Sequence, residues 1–140
     1  MFTKILVVHD GSPGEKKALA AAIAMAKKFD AELHSNSVQE RHAHFEETVG
    51  EIMEEREEAA KFFDRIIAEA QAESAAAGID LKSTVLSGHE VETIVKFARE
   101  GHYDLLVVGF MGHSRAFGRI WGGTSQNLTK TASCSVLVVK

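Results

Sequence analysis

The chain has 140 residues, 45% of them hydrophobic and 26% charged, the balance of one ordinary globular domain with room for a buried core. A net charge of −4 argues against a general nucleic-acid binder. The single cysteine, Cys134, excludes an internal disulfide framework, and no apolar run approaches the ~20 residues of a membrane-spanning helix.

In chain order, Lys4–His9 (KILVVH) reads as a buried parallel strand, ended by the turn residues Asp10-Gly11-Ser12. Ser12-Pro13 then opens a helix with Ser as N-cap, Pro at its first position and Glu15 in its first turn. The helix carries Leu19, Ala22, Ile23 and Ala26 on one face and ends near Phe29-Asp30. Residues Ala31–Val38 read as a second strand, interrupted by the polar Ser35, Asn36 and Ser37. A charged stretch then leads to a long helix expected from Glu51 to Ala77 and closed by Gly78. Ile52, Ala59, Phe62, Phe63, Ile66, Ile67 and Ala70 form its apolar stripe.

Leu81–Leu86 reads as a third strand, and the helix after it starts at Ser87-Gly88-His89-Glu90, runs through Ala98 and stops at Gly101. Leu105–Val108 reads as a fully buried fourth strand, followed by a loop over 109–123, a short helix Thr124–Thr131 and a last strand Ser135–Val139. The alternation of strand and helix predicts a single α/β domain over residues 1–140, with a mostly parallel sheet covered by helices on both faces. Ligands of such sheets bind beyond the carboxyl ends of the strands, where the winding direction switches. Two strands end in unusual chemistry, the first in Asp10-Gly11-Ser12 and the fourth in Gly109.

The charge distribution points to the same place. All 20 acidic residues lie at or before Asp104, whereas the remainder of the chain holds Arg115, Arg119, Lys130 and Lys140. A glycine-rich segment without carboxylates in an otherwise acidic protein suggests a local anion site. That segment, 109–125, reads GFMGHSRAFGRIWGGTS. Glycines let main-chain amides approach an anion without a Cβ between them. The helix opened by Gly122-Gly123-Thr124-Ser125 presents unpaired amides and a positive dipole end. Thr124 and Ser125 supply hydroxyls, and His113, Arg115 and Arg119 are candidate sources of positive charge or plain solvated loop residues. The plain alternative is a loop whose glycines serve only turns.

This segment resembles the signature of the universal stress protein family, G-x2-G-x9-G-[S/T], with Gly109, Gly112 and Gly122 at the required separations. The similarity extends along the chain, through the opening strand ending in Asp-Gly-Ser, the long second helix, DLLVVG before the loop and SVLVV at the end. The resemblance implies a five-stranded parallel sheet in the order 3-2-1-4-5, Rossmann-like and of the adenine nucleotide α-hydrolase type. It also implies binding of ATP, or of ADP or AMP, with magnesium or manganese as an accompanying ion. Carried over by position, Asp10 lies on the adenine or ribose side and Val38 meets the base through its backbone. Val108, Gly109 and Gly112 follow the ribose and phosphates, and Gly122 closes over the phosphates. Gly123 departs from the pattern, which has Ser or Thr there; the loss removes one hydroxyl worth about 0.5–1.5 kcal/mol.

The last strand is an apolar sheet edge in that order, and family dimers use it, so a homodimer through Ser135–Val139 is expected. The chain is expected to be cytoplasmic, and MFTKILVVHDGS at its start reads as a first strand and not as a signal peptide. His42-x-His44 with Glu46 and Glu47 has metal-ligand spacing but reads more simply as solvated surface. His9 and His34 are expected in the core or lining the site, and Cys134 as a buried, inert thiol. No G-x-S-x-G, H-E-x-x-H or Walker G-x4-G-K-[S/T] sequence is present. The expected function is a nucleotide-binding stress-response or regulatory protein with little or no intrinsic hydrolysis. A nucleotide-free dimeric module and a weak ATPase remain open as alternatives.

Overall fold

The computed structural model describes residues 1–40, 47–110 and 123–140. Nine elements follow in order: β1 (Lys4–Val8), α1 (Pro13–Phe29), β2 (Glu32–Gln39), α2 (Val49–Ala76), β3 (Leu81–Ser87), α3 (Glu90–Glu100), β4 (Leu105–Gly109), α4 (Gly123–Thr131) and β5 (Ser135–Val139). The five strands form one sheet in the order β3-β2-β1-β4-β5, and every pairing is parallel. The fold class and strand order expected from the sequence are those observed.

Alternation along the strands divides the core in two. Ile5, Val7, Leu33, Leu105 and Val107 pack with Ala18, Leu19, Ala22, Ile23 and Ala26 of α1 and Ala70 of α2. On the other face Leu6, Val8, Leu106 and Val108 meet Ile94 and Ala98 of α3 and Leu128 of α4. Each fully buried Leu or Ile contributes roughly 1.5–3 kcal/mol. Because both faces are covered, the central strands read as unbroken apolar runs.

Local chemistry sets the helix limits. Ser12 caps α1, its Oγ accepting the Glu15 N–H at 3.4 Å, with Pro13 in the first turn. At the other end Asp30 adopts φ 53° and its N–H reaches the Ala26 carbonyl. The start expected for the second helix, Glu51, is too late. Thr48 and Glu51 form a reciprocal capping box, with Glu51 N–H to Thr48 Oγ1 at 3.1 Å and Thr48 N–H to Glu51 Oε2 at 3.2 Å. The helix ends as expected at Gly78, which takes φ 79° while Gly78 N–H and Ile79 N–H close onto the carbonyls of Ala75 and Ser74.

The apolar stripe of α2 is only partly used. Ile66 and Ala70 are buried with Ser74, whereas Ile52, Ala59, Phe62, Phe63 and Ile67 stay half-buried. The fully buried positions of α2 all lie in its second half. Two more boundaries are corrected. Gly109 closes β4 instead of opening a loop, and α4 begins at Gly123, one residue before the expected Thr124. Cys134 is half-buried, not buried.

Candidate functional site

The winding direction reverses between β1 and β4. The chain leaves β1 through α1 toward β2, and leaves β4 through α4 toward β5. β1 also ends first of the three at the sheet's carboxyl end. Its ladder with β2 stops at Val8↔Asn36, extended by His9 N–H to Asn36 C=O at 2.9 Å, while β2 continues to Gln39. Its ladder with β4 stops at Val7↔Val107, while β4 continues to Gly109. The two neighbours therefore stand above the end of β1 as the walls of a crevice, with Asp10 at its base.

This geometry places Val38. Residues two apart on a strand turn their amides and carbonyls the same way, and Asn36 faces β1. Val38 therefore directs its N–H and C=O to the side of β1, beyond the last pair of that ladder. Its side chain is half-buried against the α3 face together with Val108.

Asp10 is held by a local turn, its Oδ1 accepting the Ser12 N–H at 2.9 Å. Gly11 between them takes φ 82°, and a Cβ there would lie 2.9 Å from Ile66 Cγ2. The turn is thus packed under α2, and only glycine fits it without strain.

Gly109 has a packing requirement of its own. A Cβ at this position would stand 2.7 Å from the carbonyl carbon and oxygen of Gly14 and 3.1 Å from the Glu15 nitrogen. The end of β4 and the first turn of α1 touch backbone to backbone. At the start of α4, Gly123 and Thr124 are half-buried and Ser125 is buried, and a Cβ on Gly123 would meet nothing within 4 Å among the described residues. The other predicted site residues, Gly112, His113, Arg115 and Gly122, lie outside the described residues, as do His42, His44 and Glu46.

Three polar residues near this end were not singled out as ligand-binding groups by the sequence. Glu15 is only 6% exposed and its Oε2 has no hydrogen-bond partner among the described residues. Burial, then the Asp10 carboxylate and then that of Glu90, push its acid well above the ordinary carboxylate range, opposed by the Gly109 amide. His9 is buried with Nδ1 unpartnered, and burial lowers it below the usual imidazole value against the pull of Asp10. Asn36 is fully buried and both its amide atoms lack partners. The available signal was the polar Ser35-Asn36-Ser37 run in a strand, and a first-turn acid that reads equally well as a helix-dipole partner. The two serines are explained by cross-strand bonds, Ser35 Oγ with Ser83 Oγ and Ser37 Oγ to the His9 carbonyl, both at 2.7 Å.

His34 belongs elsewhere. Its Nε2 lies 2.7 Å from Thr84 Oγ1, and its ring rests on Phe97 and Tyr103. A cleft of about 400 Å³ beside it, lined by Lys4, Glu32, Asp80, Lys82 and Tyr103 among others, sits at the amino edge of the sheet, opposite the crevice. Among the described residues no three acidic, histidine or cysteine side chains converge on a common ion position.

Fold and crevice together define a doubly wound α/β domain with a crevice at its switch point. Residues 1–140 match the model of the universal stress protein family, and the chain belongs to that family. Universal stress protein YxiE of Bacillus subtilis is 30% identical over a 148-residue alignment covering all of both chains. Among solved structures, universal stress protein UspA from Lactobacillus plantarum superposes with a TM-score of 0.87 at 25% identity, covering 99% of this chain and 98% of the other. A universal stress protein in complex with cAMP superposes with a TM-score of 0.77 at 26% identity, covering 99% and 97%.

Proposed function

We propose that the crevice above the end of β1 binds an adenine nucleotide, with ATP as the working ligand, and that occupancy serves regulation and not turnover. The observation that carries this reading is the pair of overhanging strands. They leave Val38 backbone groups on one wall, Gly109 on the other and Asp10 between them. The family relative that superposes with cAMP in place supports an adenine nucleotide as the class of ligand. In this reading Val38 recognises the base edge, Asp10 accepts from the ribose, and Val108 and Gly109 flank the sugar and phosphates. Gly112, His113, Arg115, Gly122, Gly123, Thr124 and Ser125 serve the phosphates. A magnesium or manganese ion would rest chiefly on the phosphates, with Asp10 as the carboxylate in reach. The same proposal includes a cytoplasmic stress-response role and a homodimer through β5.

Calorimetric titration of nucleotide-stripped protein with ATP and magnesium tests it. Saturable heat is expected; none at millimolar ATP would leave a nucleotide-free interaction module as the better description. In this reading Gly112→Val should abolish that heat with thermal unfolding unchanged.

A further inference from the structure

The first turn of α1 carries a group whose position the packing alone does not explain. Glu15 sits where three elements meet at the carboxyl end of the sheet, beside Asp10 after β1, Gly109 at the end of β4 and Glu90 at the start of α3. Its backbone is fixed: the amide is capped by Ser12 Oγ, and Gly109 presses against Gly14 and the Glu15 nitrogen without room for a methyl group. A side chain held this firmly and 6% exposed would ordinarily be apolar or fully paired. Glu15 is neither, because Oε2 has no partner among the described residues. An unsatisfied buried oxygen costs about 1–3 kcal/mol, which a bound ligand can relieve.

We propose that Glu15 is a further ligand-contacting residue of the crevice, its Oε2 hydrogen-bonding a phosphate oxygen of the bound nucleotide beside Gly109. This rests on the nucleotide reading above and adds a residue to it. The charge of the surroundings fixes the polarity of the bond. Asp10 and Glu90 face the group and His9 lies on the strand beneath, and burial together with the two carboxylates favours the neutral acid. A neutral carboxyl group has one O–H to donate, and a phosphate oxygen accepts it. The opposite sense, a carboxylate facing the phosphate, is disfavoured because an ionised phosphate oxygen has no proton to donate and the two anions would repel.

The test compares ATP–magnesium affinity in wild type, Glu15→Gln and Glu15→Met by calorimetry, with thermal melts of all three. Gln keeps a donor at the same reach, and Met keeps the volume without one. The expected result is binding within about threefold of wild type for Glu15→Gln and a loss of about tenfold or more for Glu15→Met. Retained melting of Glu15→Met would accompany that loss. Wild-type affinity in Glu15→Met would overturn the contact, and so would an equal loss in both variants. Absence of ATP binding in all three proteins would instead refute the nucleotide reading itself.

Discussion

Single glycines in the crevice carry different duties, and substitution separates them. Gly109 is demanded by backbone contact with Gly14, so Gly109→Ala should destabilise the fold by about 1–3 kcal/mol through overpacking, read by urea unfolding without ligand. A Cβ on Gly123 meets no described residue within 4 Å, so Gly123→Ser should leave stability nearly unchanged. By returning the family hydroxyl it should tighten ATP binding roughly two- to tenfold in the same calorimetric titration. Glu15 and His9 give opposite pH signatures. Glu15 holds its proton in the folded state at higher pH than in the unfolded chain, so its contribution is present at low pH and lost as pH rises past the ordinary carboxylate range. The melting advantage of Glu15→Gln over wild type should therefore grow from about pH 5 to pH 8. His9 is lowered from 6.5, so the stability tied to its neutral form is complete above that value and falls away as pH drops below it. Proton resonances of its ring should titrate at a pH below 6.5.

At the scale of elements, α2 shows how a helix can be long without being packed along its length. Its capping box and regular stripe make a strong local helix, yet burial is confined to Ile66, Ala70 and Ser74. Ile66→Ala should cost about 2–5 kcal/mol, whereas Met53→Ala, on an exposed turn, should change unfolding by less than about 0.5 kcal/mol. The points at which β1, β2 and β4 end shape the proposed site. The crevice exists because β1 ends first, and β1 ends first because Asp10 and Gly11 turn the chain under α2.

For the molecule as a whole, the sheet leaves two edges, β3 and β5. The proposed dimer uses β5, where Phe110 N–H reaches the Val139 carbonyl from the β4 side. Alternation then turns the amides of Val136 and Val138 outward. Val138→Pro removes one outward donor while sparing the ladder with β4, so sedimentation should show a monomer where the parent sediments as a dimer. Among the described residues no helix is long and apolar enough to cross a membrane.

The sequence by itself determined the element order, the apolar strands and the Ser12 and Gly78 helix limits. These follow from local periodicity and capping, which neighbouring residues specify completely. The resemblance carried the strand order and supplied the positions of the proposed site. Only the tertiary structure decided that Gly109 is a packing glycine, that β1 stops short of its neighbours and that Glu15 is enclosed. Each of these depends on residues far apart in the chain meeting at one end of the sheet: a first-turn glutamate has the same local sequence signal whether water or three other elements surround it.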